Sequence, residues 1–98
     1  MKLEDWRTEI DEIDSQIVGL LNRRAQAAQN VGVIKAQAGL PIVDIEREDE
    51  VLRKVSKNSQ GIFEINTVVE IYGKILQNSR QIQIETMREI SKKAETCS

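Results

Sequence analysis

Residues 3–38, LEDWRTEIDEIDSQIVGLLNRRAQAAQNVGVIKAQA, hold one unbroken apolar pattern. Trp6, Ile13, Leu20, Ala27 and Ile34 recur every seven residues, and Ile10, Ile17, Arg24, Val31 and Ala38 form the second line of the same stripe. Gly39-Leu40-Pro41 ends it, since glycine suits the position just past a helix and proline cannot continue one. At 1.5 Å per residue this single helix would be about 54 Å long. A compact chain of 98 residues has a radius of gyration of about 13 Å and is roughly 33 Å across. The helix overshoots its own domain while staying apolar to both ends. A second copy of the chain is the simplest cover, which makes an α-helical homodimer the expectation. Gly19, near mid-helix, would let two backbones approach, against an intrinsic cost of up to about 1 kcal/mol.

Two further helices follow from the same pattern. One begins after Asp44, a good N-cap type, and runs to about Lys57 with Ile45, Val51, Leu52 and Val55 as its stripe. Asn58-Ser59-Gln60-Gly61 is a polar break. The next helix runs from residue 64 to about 89 or a little further, with Val69, Tyr72, Leu76, Met87 and Ile90 on one face. Residues 1–90 are expected to form one all-α domain, and residues 91–98 a flexible tail.

Composition removes several classes of function. Hydrophobic residues make up 40% and charged ones 31%, with 5 Gly, 1 Pro and 3% aromatics, which favours long helices over a many-turned β protein. A net charge of -2 gives no electrostatic case for nucleic acid. No apolar run is long enough for a membrane span, and the first residues lack an apolar signal stretch, so the expected location is the cytoplasm. Histidine is absent and Cys97 is the only cysteine, which rules out a Cys–His or Ser–His pair and a His- or Cys-rich metal site. Any enzyme built from these residues must work by binding, positioning and charge.

Polar residues interrupt every stripe. Arg24 occupies a seam position, and Arg7, Asp14, Leu21, Ala28 and Lys35 form a line flanking that seam. Glu48 falls between Ile45 and Leu52, and Ser79 and Gln83 fall between Leu76 and Met87. Singly, each has an ordinary explanation: a register-setting arginine, a snorkelling lysine, a small filler serine. Together they describe cations, an acid, a hydroxyl and an amide converging inside a helical bundle. Several cations beside few acids suit a small, multiply anionic ligand.

Arg7 stands apart. It lies about 25 Å along the helix axis from Arg24 and about 42 Å from Lys35. No small metabolite could touch Arg7 and Lys35 of one straight helix. An antiparallel partner crossing near Gly19 would bring its Arg7 opposite residue 31, so Arg7 is expected to serve the other subunit's site.

The pattern Arg7-x6-Asp14, Leu20-Leu21-x2-Arg24, Val31-Gly32-x2-Lys35, Pro41-Ile42-x-Asp44-x2-Arg47-Glu48 and Ser79-x3-Gln83 resembles the AroQ-class, or type II, chorismate mutases. The likeness runs from about Trp6 to Gln83. It implies an intertwined three-helix homodimer with two sites, isomerising chorismate to prephenate in aromatic amino acid biosynthesis with no cofactor and no metal. By that resemblance Arg24 and the partner subunit's Arg7 hold the substrate's two carboxylates, and Lys35 and Gln83 bond the ether oxygen. Glu48, with the chain around Asp44, binds the ring hydroxyl, while Arg47 and Ser79 complete the pocket near a carboxylate. Docking on another shikimate-pathway enzyme is left open. Two alternatives stand beside it: an isochorismate-pyruvate lyase of the same fold, and a non-catalytic helical dimerisation or regulatory module.

Overall fold

The computed structural model describes residues 1–96, in the order α1 (Leu3–Ala38), α2 (Ile45–Asn58) and α3 (Ile65–Thr96). Acidic Glu4 and Asp5 sit in the first turn of α1, where the helix dipole favours them, and the Asp5 carboxylate accepts the Lys2 backbone N–H at 2.8 Å. The helix closes at Gly39, whose φ of 67° is left-handed and costs glycine nothing, and the Leu40 N–H returns to the Lys35 carbonyl at 2.9 Å. Asp44 starts α2 by accepting the Arg47 backbone N–H at 3.0 Å.

Helix α3 is longer than its apolar pattern suggests. Residues 91–96, expected as tail, continue it to Thr96, and the rest of that tail, Cys97 and Ser98, lies outside the described residues. Lys92, Lys93, Ala94 and Glu95, all good helix formers, favour the extension.

The arrangement is open. Helix α1 packs on α3 and α2 packs on α3, with principal extents of 64 × 28 × 15 Å and a radius of gyration of 17.6 Å. That radius exceeds the roughly 13 Å of a compact chain this size, as the long first helix requires. Among the described residues the buried apolar side chains are Ala28 and Leu76, which face each other's helices. Ile45, placed by spacing in the α2 stripe, is exposed, because α2 has a single neighbouring helix to cover it.

Close approach of α1 and α3 falls at Gly32. A Cβ there would meet Gln83 Cα and Thr86 Cβ at 3.2 Å each. Gly19 has open space around it within the chain. Missing side-chain bulk at Gly32 thus brings the end of α1 against the stretch of α3 that carries Gln83. No helix among the described residues is long and apolar enough to cross a membrane.

Candidate functional site

A cavity of about 470 Å³ opens where the second half of α1, the middle of α3 and the start of α2 meet. It has the size of a small-molecule site. Ala27, Ala28, Val31, Ile42, Val51 and Leu76 supply its apolar walls. Seven of the eight residues singled out from the sequence line it: Arg24, Lys35, Asp44, Arg47, Glu48, Ser79 and Gln83.

At one end, Lys35 reaches across from α1. Its Nζ donates to the Ile42 carbonyl at 2.7 Å and to Gln83 Oε1 at 3.0 Å. An ammonium has three N–H donors, so two fix the side chain and one is left for a ligand. Binding through Oε1 also turns the Gln83 amide, which leaves its two N–H donors on the opposite side. Lysine and glutamine therefore present neighbouring donors from two helices, both half-buried.

At the other end, an Arg24 Nη donates to Ser79 Oγ, and that hydroxyl donates in turn to the Ile75 carbonyl of its own helix at 3.0 Å. A hydroxyl has one proton to give, so Ser79 spends it on α3 and uses a lone pair to hold Arg24. Serine at this point orients the guanidinium, and Arg24 keeps further N–H groups for an anion.

Helix α2 closes the side. The Asp44 carboxylate caps the helix through the Arg47 N–H, and the Arg47 guanidinium bonds Glu50. Glu50 also takes Lys54 at 3.4 Å. The hydrogen bond from Arg47, then that from Lys54, holds the Glu50 carboxyl below its ordinary pKa. Asp44 and Arg47 stay exposed at the rim, whereas Glu48 is half-buried and turned toward α3.

Arg7 is not in this cavity. It is exposed and pairs with Glu4 of its own helix at 2.8 Å, near the far end of α1. Geometry within one chain keeps it from the other seven, as its spacing from Lys35 requires.

One lining residue was missed. Arg80 sits on the cavity wall with Nε 3.4 Å from Glu48 Oε2. It lies four residues after Leu76 and three before Gln83, so helical spacing alone puts it on the same face. The next-door Ser79 masked that signal, because adjacent helix positions are usually assigned to different faces. Among the described residues no group of three or more His, Cys, Asp or Glu side chains is placed to hold a metal ion.

Four cations (Arg24, Lys35, Arg47, Arg80) and two acids (Asp44, Glu48) surround the cavity, an excess of two positive charges. Fold and site together define a three-helix protein with a cationic, amide-bearing pocket for a small organic anion. The chain belongs to the type II chorismate mutases, whose family, described as chorismate mutase type II, matches residues 6–84. It is 33% identical over 95 residues to the chorismate mutase of Methanocaldococcus jannaschii, with 94% of each chain covered. It is 40% identical over 79 residues to a bifunctional chorismate mutase/prephenate dehydratase of Aquifex aeolicus, a match covering 76% of this chain. The chain spans only 22% of that relative's length. Chorismate mutase (form II) from Thermus thermophilus superposes with a TM-score of 0.82 at 26% identity, covering 85% of this chain and 94% of that one. Helicobacter pylori chorismate mutase in complex with prephenate gives 0.80 at 29% identity, covering 89% and 94%.

Proposed function

We propose that the chain converts chorismate to prephenate, working as an intertwined homodimer in which each cavity is completed by Arg7 of the second copy. The observation that carries this is the paired placement of Lys35 and Gln83 at one end of a cavity whose other end holds Arg24. A dicarboxylate that also carries an ether oxygen suits a cavity with cationic anchors toward one end and paired lysine and amide donors at the other. The H. pylori relative, held in complex with prephenate, supports the choice of ligand.

The reaction is an intramolecular Claisen rearrangement: one C–O bond breaks, one C–C bond forms, and no atom enters or leaves. It needs no nucleophile and no proton transfer, so a chain without histidine is equipped for it. Arg24 and the partner's Arg7 would grip the two carboxylates and hold the flexible enol-ether side chain over the ring. That removes conformational entropy from the barrier before the bonds change. As the C–O bond stretches, negative charge grows on the ether oxygen, where the spare Lys35 N–H and the Gln83 amide would point. Such donors act more strongly on the transition state than on the substrate, at about 3–4 kcal/mol for one well-placed group. Glu48 would accept the ring hydroxyl. Asp44 supports that contact by capping α2, Arg47 closes the rim, and Ser79 holds Arg24 toward its carboxylate.

The second copy has a physical motive. Ile10, Ile17 and Leu20 of α1 are 54%, 48% and 58% exposed in the single chain. Fully burying one such side chain contributes about 1.5–3 kcal/mol, so pairing of these helices would supply the core that one chain lacks. We place the enzyme in the cytoplasm, in aromatic amino acid biosynthesis, where a prephenate-consuming enzyme is the partner on which it would dock.

Purified protein incubated separately with chorismate and with isochorismate tests this. Loss of chorismate absorbance with prephenate as product is expected. Pyruvate released from isochorismate, with chorismate untouched, would make it a lyase. No reaction with either would leave only a helical scaffold.

A further inference from the structure

We propose that Arg80 is the positioning residue for Glu48, neutralising that carboxylate and aiming it at the hydroxyl of the bound ring. The inference rests on the mutase reading and adds a residue to it.

Glu48 poses an electrostatic problem. It is an anion on the wall of a cavity built for a dianion, so without a counter-charge it would repel the ligand it must help to bind. Its own helix offers no help. Arg47 and Lys54 are both engaged by Glu50, and the helical neighbours of Glu48 one turn away are Asp44, Ile45, Val51 and Leu52. The cation that faces it comes from α3: Arg80 Nε stands 3.4 Å from Glu48 Oε2.

The state of that nitrogen is the second observation. Arg80 Nε is closed to solvent, and within the described residues it makes no hydrogen bond. Its approach to Glu48 is close enough for ion pairing but outside hydrogen-bond geometry. A closed-off donor beside a carboxylate has one inexpensive way to be satisfied, a small turn of Glu48 toward it. Arg80 Nε then takes one oxygen of Glu48 and leaves the other directed into the cavity, free to accept a hydroxyl proton. Specificity follows, because the carboxylate is held ready for a ring bearing a hydroxyl and not for one lacking it.

The pair is only partly shielded, with Glu48 25% and Arg80 41% exposed, so the effect is moderate. Arg80→Met, which keeps length and removes charge, should raise KM for chorismate about five- to tenfold with kcat changed by about twofold or less. Arg80→Lys should recover most of that loss. In a Glu48→Gln background no carboxylate remains to be aimed, so adding Arg80→Met should raise KM by a clearly smaller factor, about two- to threefold, the remainder being the direct attraction of Arg80 for the dianion. Calorimetric titration with prephenate, the product, gives a second readout that does not need turnover, and the same order of affinities is expected. Circular dichroism melts would show whether each variant folds, and Arg80→Gln, which also removes the charge, serves if Arg80→Met does not. Equal penalties from Arg80→Met in both backgrounds, or none in either, would overturn the assignment. A wild-type chain that binds prephenate in an Arg80-dependent way but leaves chorismate unchanged would sink the mutase reading and keep Arg80 as the partner of Glu48.

Discussion

The two halves of α1 carry one heptad stripe, which the single chain leaves exposed even at Val31 and Ile34, yet their flanks meet different fates. From Arg24 to Lys35 the helix lies against α3, buries Ala28, draws close at Gly32, and sends Arg24 and Lys35 to the Ser79 and Gln83 side chains. From Trp6 to Leu21 stripe and flank alike stay exposed, and Arg7 pairs with Glu4 of its own helix. Pattern alone therefore says that a helix face will be covered, and the length of the other helices decides how much of it one chain can cover. The first half asks for another molecule, and the second builds a cavity with what the chain already has.

Breaking the second half should have the largest effect. Lys35→Ala removes the group that bridges Ile42 and Gln83, and turnover of chorismate should fall about 10²–10³-fold, as for loss of one transition-state donor. Sedimentation and circular dichroism should be unchanged, since the exposed first half would still pair. A variant that loses its dimer together with its activity would instead make Lys35 structural.

A sharper separation of the halves comes from mixing variants. Arg7→Ala and Arg24→Ala are each expected to be nearly inactive, because each removes a carboxylate anchor from both sites of a symmetric dimer. Co-refolded in equal amounts, half the dimers are mixed, and one site in each mixed dimer regains both arginines, giving about a quarter of wild-type activity. Recovery absent from a properly mixed sample would show that Arg7 does not act across the dimer.

Gln83→Glu tests the polarity of the cavity end. An ionised carboxylate there would repel the ether oxygen, and an ordinary glutamic acid ionises near pH 4.3. Lys35 beside it would favour the ionised form and push that point lower. Activity should therefore be present only in acid and decline as pH rises, and full activity at pH 8 would contradict the proposed role of Gln83.

Gly32→Ala probes packing without touching a charge. The new Cβ meets α3 at 3.2 Å, so the helices must separate slightly, at a cost of about 1–3 kcal/mol in thermal or denaturant unfolding. Gly19→Ala, with open space in the single chain, separates the two halves directly. If α1 pairs with a second copy at that point it destabilises the dimer, and otherwise it strengthens the helix.

The smallest effect is expected at Glu50. Its carboxyl is held below its ordinary pKa by Arg47 and Lys54, so its contribution to stability is present above the unfolded-state pKa and fades as pH falls through the lower folded value. Glu50→Gln should therefore lower the melting temperature slightly at neutral pH, with the difference from wild type vanishing in acid. A difference that persists at low pH would assign the effect to packing.

Much of this was legible beforehand. The stripe of α1, Gly39 and Pro41 after it, and Asp44 at the start of α2 act through neighbours a few residues away, so reading along the chain recovers them. Arg24, Glu48, Ser79 and Gln83 stood out because polar groups in apolar stripes are costly, whereas Lys35 lay on the flank of its stripe, and Arg47 and the ligand role of Asp44 came from the resemblance to the type II chorismate mutases. Arg80 did not stand out, because an arginine on a helix is unremarkable until a carboxylate on another helix is brought beside it. Residues 91–96 extend α3 without an apolar pattern for a related reason: helix propensity alone leaves no apolar signature.

What the sequence determined by itself was a set of helices, their faces and their ends, since hydrogen bonding within a helix is local and the period of burial is written in residue order. Tertiary structure decided which of those faces meet. The contact of Lys35 with Gln83, the approach of Gly32 to α3, and the pairing of Arg80 with Glu48 join positions separated by tens of residues. Distances of that kind depend on how whole helices cross, which the volume of a few small side chains sets and no local pattern encodes.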